Sequence, residues 1–160
     1  MILYFLRHGR AEQHSNGPDF ERKLTKRGTQ ELKGAVSLWR RLKLRPEVIL
    51  TSPLVRALET AEMARAALEV KTDPKTDDRL QPGATWAAMW QAMADRQEAA
   101  RVMFVGHNPD FESAIEELSG AAVRLRPGGV ACLEFPGVPE PGQGEIAWVL
   151  DPDLYLEEGG

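Results

Sequence analysis

Three short, unbroken apolar runs each stop at a polar cluster, and this pattern constrains the chain more than any other feature. Met1–Leu6 (MILYFL) ends at Arg7-His8-Gly9, Val48–Thr51 (VILT) at Ser52-Pro53, and Val102–Val105 (VMFV) at Gly106-His107-Asn108-Pro109. Runs of this length that are apolar at every position, not at alternate ones, are the signature of strands covered on both faces. Helical periodicity fills the intervals. Leu32, Ala35, Val36, Trp39 and Leu42 recur every three or four residues behind Thr25, a helix cap, and Pro46 closes that segment. Ser52 as cap with Pro53 at the first helical position predicts a second helix carrying Leu54, Leu58, Ala61, Met63, Ala64 and Leu68.

Trp86, Met89, Trp90 and Met93 predict a third helix from Thr85 to about Glu98; core packing is the plain reading of its large side chains, a recognition surface near the site the bolder one. Phe111–Leu118 is a fourth helix, stopped by Gly120. Val70–Thr72 reads as a short strand and Asp73–Asp78 as polar loop. Val130–Phe135 and Ile146–Leu150, joined by the Pro/Gly-rich stretch Pro136–Gly144, read as two strands with a hairpin-like connection. Strands alternating with helices, then a terminal strand pair, predict a three-layer α/β/α sandwich with a mostly parallel sheet and a late antiparallel element. With no internal repeat or linker, residues 1–156 are expected to form one domain and 157–160 a frayed tail.

Composition narrows the function. The 160 residues carry 20 basic and 24 acidic side chains, a net charge of −4, which argues against nucleic-acid and polybasic membrane binding. The single Cys132 permits no internal disulfide and no Cys-rich zinc site, so a reducing cytosol is the expected compartment. Met1–Leu6 lacks a basic region before it and is too short for a signal or a membrane span.

In an open α/β sheet, ligands sit outside the carboxyl ends of the strands. If the three apolar strands are parallel neighbours, Arg7, His8, Ser52, Arg56, His107 and Asn108 converge on one rim. Two arginines present planar forks to a multi-oxygen anion, and the following helix adds backbone donors. Two histidines beside two arginines are costly unless an anion fills the space. One histidine attacking phosphorus while the other and the arginines stabilise the equatorial oxygens is a complete division of labour. Singly, each residue has a bland reading: loop residues for Arg7-His8, a solvated charge for Arg56, a turn for His107.

Together, LRHGRAE (Leu6–Glu12), LTKRG (Leu24–Gly28), TSPLVRALETA (Thr51–Ala61) and VGHNP (Val105–Pro109) resemble, in order and spacing, the histidine phosphatase superfamily. Within it the chain is similar to the small phosphohistidine phosphatase (SixA-type) branch, with a phosphoglycerate mutase-like fold. The resemblance runs from residue 1 to about 120. It implies that His8 is the nucleophile, that Arg7, Arg56 and His107 form the phosphate pocket, that Gly9 allows close backbone approach and that Asn108 adds a polar contact. It implies no metal and no organic cofactor. It also has LTKRG packing the first helix against the loop after strand one, which would account for Gly28.

Many superfamily members acting on phosphate esters carry a glutamate general acid two residues after a leucine following the third strand; here that stretch reads Leu80-Gln81-Pro82. Another branch has aspartate directly after the second histidine, where this chain has Asn108. Expelling an alkoxide, whose conjugate acid has a pKa of order 15 by comparison with water, needs a proton in the transition state. A phosphohistidine leaving group, titrating at about 6.5, takes its proton from solvent. The expectation is therefore a cofactor-independent phosphatase acting on a phosphorylated protein histidine in signal transduction. Its rivals are a phosphomonoesterase for a small phosphorylated metabolite and a phosphate-binding module without turnover. Glu12, His14, Glu21 and Asp110 remain candidate proton donors. His14 either contacts the phosphate or leaving group or, more plainly, is a solvated loop histidine. A three-histidine metal site from His8, His14 and His107 is poorly compatible with two arginines in the same space. Cys132 reads as an inert core residue. Oligomeric state leaves no trace in the sequence.

Overall fold

The computed structural model of the chain describes residues 1–13, 17–96 and 99–155. The elements are β1 (Ile2–Arg7), α1 (Lys26–Arg41), β2 (Val48–Thr51), α2 (Val55–Leu68), β3 (Lys75–Thr76), α3 (Trp86–Ala94), β4 (Arg101–Gly106), α4 (Asp110–Ser119), β5 (Val130–Glu134) and β6 (Glu145–Leu150), with 3-10 turns at Asp19–Glu21, Asp78–Leu80 and Pro152–Leu154. They build a sheet in the order β3-β2-β4-β1-β5-β6. The first four strands of that order run parallel; β5 is antiparallel to β1 and β6 to β5. This is the mostly parallel sheet with a late antiparallel element that the alternation of strands and helices predicts.

Strand residues alternate between two cores, as a two-residue period requires. Leu3, Phe5, Leu50, Val102, Phe104, Ala131 and Leu133 pack against α3 and α4 through Trp86, Met89, Phe111, Ile115 and Leu118. Tyr4, Leu6, Ile49, Met103, Val105, Val130 and Cys132 pack against α1 and α2 through Leu32, Trp39, Ala57, Ala61 and Ala64. Both faces of the central strands are thus covered, and their runs are apolar throughout. Burial pushes the Cys132 thiol up to about 12, consistent with an inert core residue. Trp86 lies in the α3 core edge-on to Phe104, and Trp90 packs half-buried against it, at the opposite end of the sheet from His8. Core packing, not a recognition surface beside the site, is what these two residues do.

α1 begins where LTKRG predicts. Thr25 Oγ1 accepts the Gly28 amide at 2.9 Å, and an isolated bridge joins Leu24 to Ala11. A Cβ on Gly28 would stand 2.3 Å from the Arg10 carbonyl oxygen, so only glycine lets the helix lie this close to the loop after β1.

Three boundaries differ from expectation. Val70 is buried beneath the end of α2 and forms no strand; the edge strand is the exposed pair Lys75–Thr76, which carries no apolar signal to read. α2 opens at Val55 behind Leu54, because Ser52 faces the site and does not cap the helix. α3 ends at Ala94, with Asp95 at its C-cap. Gln97, Glu98 and the tail 156–160 lie outside the described residues.

Candidate active site

Because β1, β4 and β2 are parallel neighbours, Arg7, His107 and Ser52 emerge at one rim: Arg7 pairs in register with Gly106, and Thr51 with Val105. Arg56 joins them from the first turn of α2. Arg7, His8, Arg56, His107 and Asn108 line one cleft of about 340 Å³. The convergence expected from three polar strand ends is present, although the start of α2 is shifted.

His8 is clamped twice. Its backbone amide donates to the Gly106 carbonyl at 3.0 Å, and its Nδ1 lies 2.7 Å from the Gly9 carbonyl oxygen. A carbonyl only accepts, so the proton sits on Nδ1 and the lone pair on Nε2. Burial, reinforced by Arg56, Arg7 and Arg22 and opposed by the Gly9 hydrogen bond, pushes His8 down to about 4. At neutral pH the ring is uncharged and Nε2 is a competent nucleophile. His107 lies with its ring centroid 5.2 Å from that of His8. Burial, then His8 and Arg56, push it down to about 3. Its Nε2 is 2.8 Å from Ser52 Oγ, which accepts the Leu54 amide at 3.3 Å and is free to give its own proton to the ring.

The arginines are held by backbone carbonyls. Arg7 Nη1 donates to Leu125 O at 2.9 Å, and Arg56 Nη1 to Asp19 O at 3.0 Å, with Nη2 3.2 Å from the Asp19 carboxylate. Burial lowers the pKa of both. Arg7 Nε and Arg56 Nε are buried, and among the described residues neither finds a partner. Unmet buried donors are rare and costly, on the order of 1–3 kcal/mol each, and an oxyanion is the chemical species that would satisfy them here.

Other expected residues fall elsewhere. The Gly9 amide donates to Thr60 Oγ1 at 3.1 Å, and a Cβ there would meet Leu32 Cδ1 at 2.9 Å, so the close approach that Gly9 permits is to α1. Asn108 lines the cleft, but its Nδ2 donates to Glu112 Oε1 and to Leu125 O. Asp110 accepts the Gly83 and Ala84 amides, holding the loop that carries Pro82 into the cleft wall. Glu12 and Glu21 line a neighbouring hollow with Lys23 and Val55. His14 lies outside the described residues. Among those described, no group of three His, Cys, Asp or Glu is placed to hold a metal.

Two contributors escape sequence reading. Arg22 lines the cleft, fixed by Asp19 Oδ1 and the Glu12 carbonyl at 2.7 Å each. Glu112 accepts from both Asn108 and the Leu125 amide, and so orients the carbonyl that holds Arg7. A lone arginine in a polar loop and a glutamate in an amphipathic helix give no local signal of either role.

The family model for the histidine phosphatase superfamily (branch 1) matches residues 3–129. An uncharacterised protein of Picosynechococcus sp. is 34% identical over 167 residues, covering 98% of this chain and 94% of its own. The protein histidine phosphatase SixA complexed with tungstate superposes with a TM-score of 0.84 at 23% identity, over 96% of this chain and 99% of that one. The putative phosphohistidine phosphatase SixA from Agrobacterium tumefaciens superposes at 0.81 with 26% identity, over 94% and 97% of the two chains.

Proposed function

The chain belongs to the histidine phosphatase superfamily, and from that footing we propose that it is a phosphohistidine phosphatase working through a phosphorylated His8. The phosphoryl group enters with its oxygens toward Arg7, Arg56 and His107. His8 Nε2 attacks phosphorus in line; the P–Nε2 bond forms as the bond from phosphorus to the leaving nitrogen breaks. The leaving imidazole, protonated from solvent on its distal nitrogen, departs neutral. Water then attacks phospho-His8, releasing orthophosphate and returning Nε2 its lone pair. Throughout, the Gly9 carbonyl holds the Nδ1 proton and shares the positive charge that develops on the ring. Arg7 and Arg56 meet the charge on the equatorial oxygens in a desolvated setting, where fixed donors act most strongly.

The observation that carries the reading is the neutral His8, its lone pair fixed on Nε2, in one cleft with the half-buried Arg7 and the buried Arg56. The choice of a P–N bond is supported by the cleft wall: among the described residues it is cationic or neutral, with Pro82 where a proton-donating carboxylate would serve an ester. The tungstate held by the SixA neighbour is an oxyanion of the kind this arrangement suits.

The test is turnover, side by side at neutral pH, of phosphoramidate or a histidine-phosphorylated protein and of p-nitrophenyl phosphate and sugar phosphates, with His8→Ala as control. Preference for the P–N substrates, lost in the control, is expected. Efficient hydrolysis of alkyl esters would replace this reading with a phosphomonoesterase, and silence on all substrates with a binding module.

A further inference from the structure

The catalytic cleft does not end at His8. It opens into a second compartment of about 420 Å³, lined by Arg10, Ala11, Gln13, Thr25, Arg27 and Pro127, of which Arg10, Ala11, Gln13 and Pro127 also line the cleft. Arg10 and Arg27 stand over this compartment on one support. Arg10 Nε donates to Glu31 Oε1 at 2.7 Å, and Arg27 Nε to the same oxygen at 3.0 Å. The Glu31 side chain is 4% exposed, so its carboxylate is a fixed post. Each guanidinium is held only through Nε. Among the described residues the terminal Nη groups of both have no partner, and Arg27 is 65% exposed.

The charge balance is unusual for this place in a fold. One buried carboxylate faces two guanidinium groups, and Lys26, the first residue of α1, precedes Arg27 in sequence. The first turn of α1 contains no acidic residue, although the positive end of a helix dipole favours acids there and disfavours bases. Cations gathered at a helix start, with forks pre-oriented and ends unengaged, suit a planar anion that accepts two hydrogen bonds. The compartment is open to the surface, and its outer cation is mostly in solvent. That suits a carboxylate carried on a protein surface better than a second charge on a small molecule that must be enclosed.

We propose that the protein reads its substrate at two points: the phosphoryl group at His8, and an aspartate or glutamate side chain flanking the phosphorylated residue, seated between Arg10 and Arg27. This deepens the phosphohistidine reading and rests on it for the identity of the substrate, but the second seat is a binding property and can be measured without turnover. A preorganised pair of this kind gives selectivity without reacting, so its effect belongs in KM and leaves kcat alone.

The probes are two peptides carrying phosphoryltriazolylalanine, a non-hydrolysable phosphohistidine mimic, one flanked by glutamates and the other by glutamines. Both are titrated into His8→Ala protein with Arg27 intact or replaced, Arg27→Gln and Arg27→Lys. The acid-flanked peptide is expected to bind about fivefold to tenfold more tightly, in line with one charge-assisted contact in a partly open site. The preference disappears with Arg27→Gln and is partly kept with Arg27→Lys, while phosphoramidate turnover is the same with Arg27 intact, Arg27→Gln and Arg27→Lys on the His8 background. Equal binding of the two peptides, or a preference that survives Arg27→Gln, overturns the second seat. A small bisphosphate that outcompetes the acid-flanked peptide in an Arg27-dependent way overturns its assignment to a protein substrate. Failure of the phosphohistidine reading itself would appear separately, as wild-type protein that leaves P–N bonds intact whatever these titrations give.

Discussion

At the carboxyl ends of β1, β2 and β4 the chain builds a cleft of about 340 Å³ walled by Arg7, His8, Arg56 and His107; near the amino ends of β1 and β4 lies a hollow of about 580 Å³ walled by Met1, Trp90, Met93, Ala99 and Val138. Among the described residues, the larger and more apolar of the two is lined by no histidine and by no buried polar atom left without a partner. In the smaller, two histidines are held neutral and two arginine Nε donors are buried without partners. Size and greasiness, which mark many ligand sites, here report only where α3 and the loop around Val138 leave core material incompletely covered. Desolvated charge and unmet donors report function, because a chain that gained nothing from them would bury something less costly.

Substitutions can break this contrast. Arg7→Ala and Arg56→Ala should each lower kcat/KM by roughly 10²–10³-fold, the usual consequence of removing a preorganised donor. Thermal melting should move little, since each change also removes a desolvated cation. A large loss of stability with modest loss of turnover would make these arginines structural. At the other rim the effects should invert. Met93→Ala, in the α3 core, should cost on the order of 2–5 kcal/mol and lower Tm accordingly, with kcat/KM within about twofold of the parent. A tenfold change in kcat/KM would mean the two rims communicate through β1 and β4.

Acid acts on the histidine-lined cleft alone. With His8 at about 4 in the free protein, kcat/KM should lose its nucleophile only near that pH, once the substrate's own ionisation is allowed for, and not near the 6.5 of an unperturbed histidine. Stability should move over a wider window. The unfolded chain takes up protons on these histidines near 6.5, whereas the folded chain resists until about 4 at His8 and about 3 at His107, so stability falls as pH drops through that interval. A melting temperature flat from pH 7 to 4 would show that the rings are not held neutral. The smallest effect is expected at Asp19. Burial pushes its carboxyl up, but Arg22 and Arg56 outweigh this and hold it below the usual range, so it stands as a charged cap on Arg56. Asp19→Asn should tighten inhibition by orthophosphate a few-fold, read from competition against p-nitrophenyl phosphate; the effect stays small because the Asp19 side chain is 62% exposed and solvent screens it, although Arg56 is buried.

The fold was legible where apolar period and length agreed. MILYFL, VILT and VMFV are central strands because every position in them is covered, and their polar ends meet because the strands are parallel neighbours. Gly28 was legible as a misfit in a helix, and the Arg10 carbonyl gives its reason. β3 was not, since two exposed edge residues held only by backbone pairing leave no side-chain pattern. The start of α2 misled because Ser52-Pro53 carries a capping signature while the Ser52 hydroxyl is drawn to His107. Arg22, Glu112 and the Arg10–Glu31–Arg27 cluster were hidden for a common reason. Arg27 and Glu31 are an ordinary i,i+4 helix pair, but the partners that build the sites, Glu12 for Arg22, Leu125 for Glu112 and Glu31 for Arg10, lie 10, 13 and 21 residues away, and no local period encodes that.

The most direct test of the account is rapid-quench mass spectrometry of the wild-type protein during turnover of phosphoramidate. An acid-labile phosphoryl adduct is expected on the peptide containing His8, formed and lost at rates compatible with kcat and absent from His8→Ala. Turnover at full rate with no adduct on His8, or with the phosphoryl group on another residue, would contradict it.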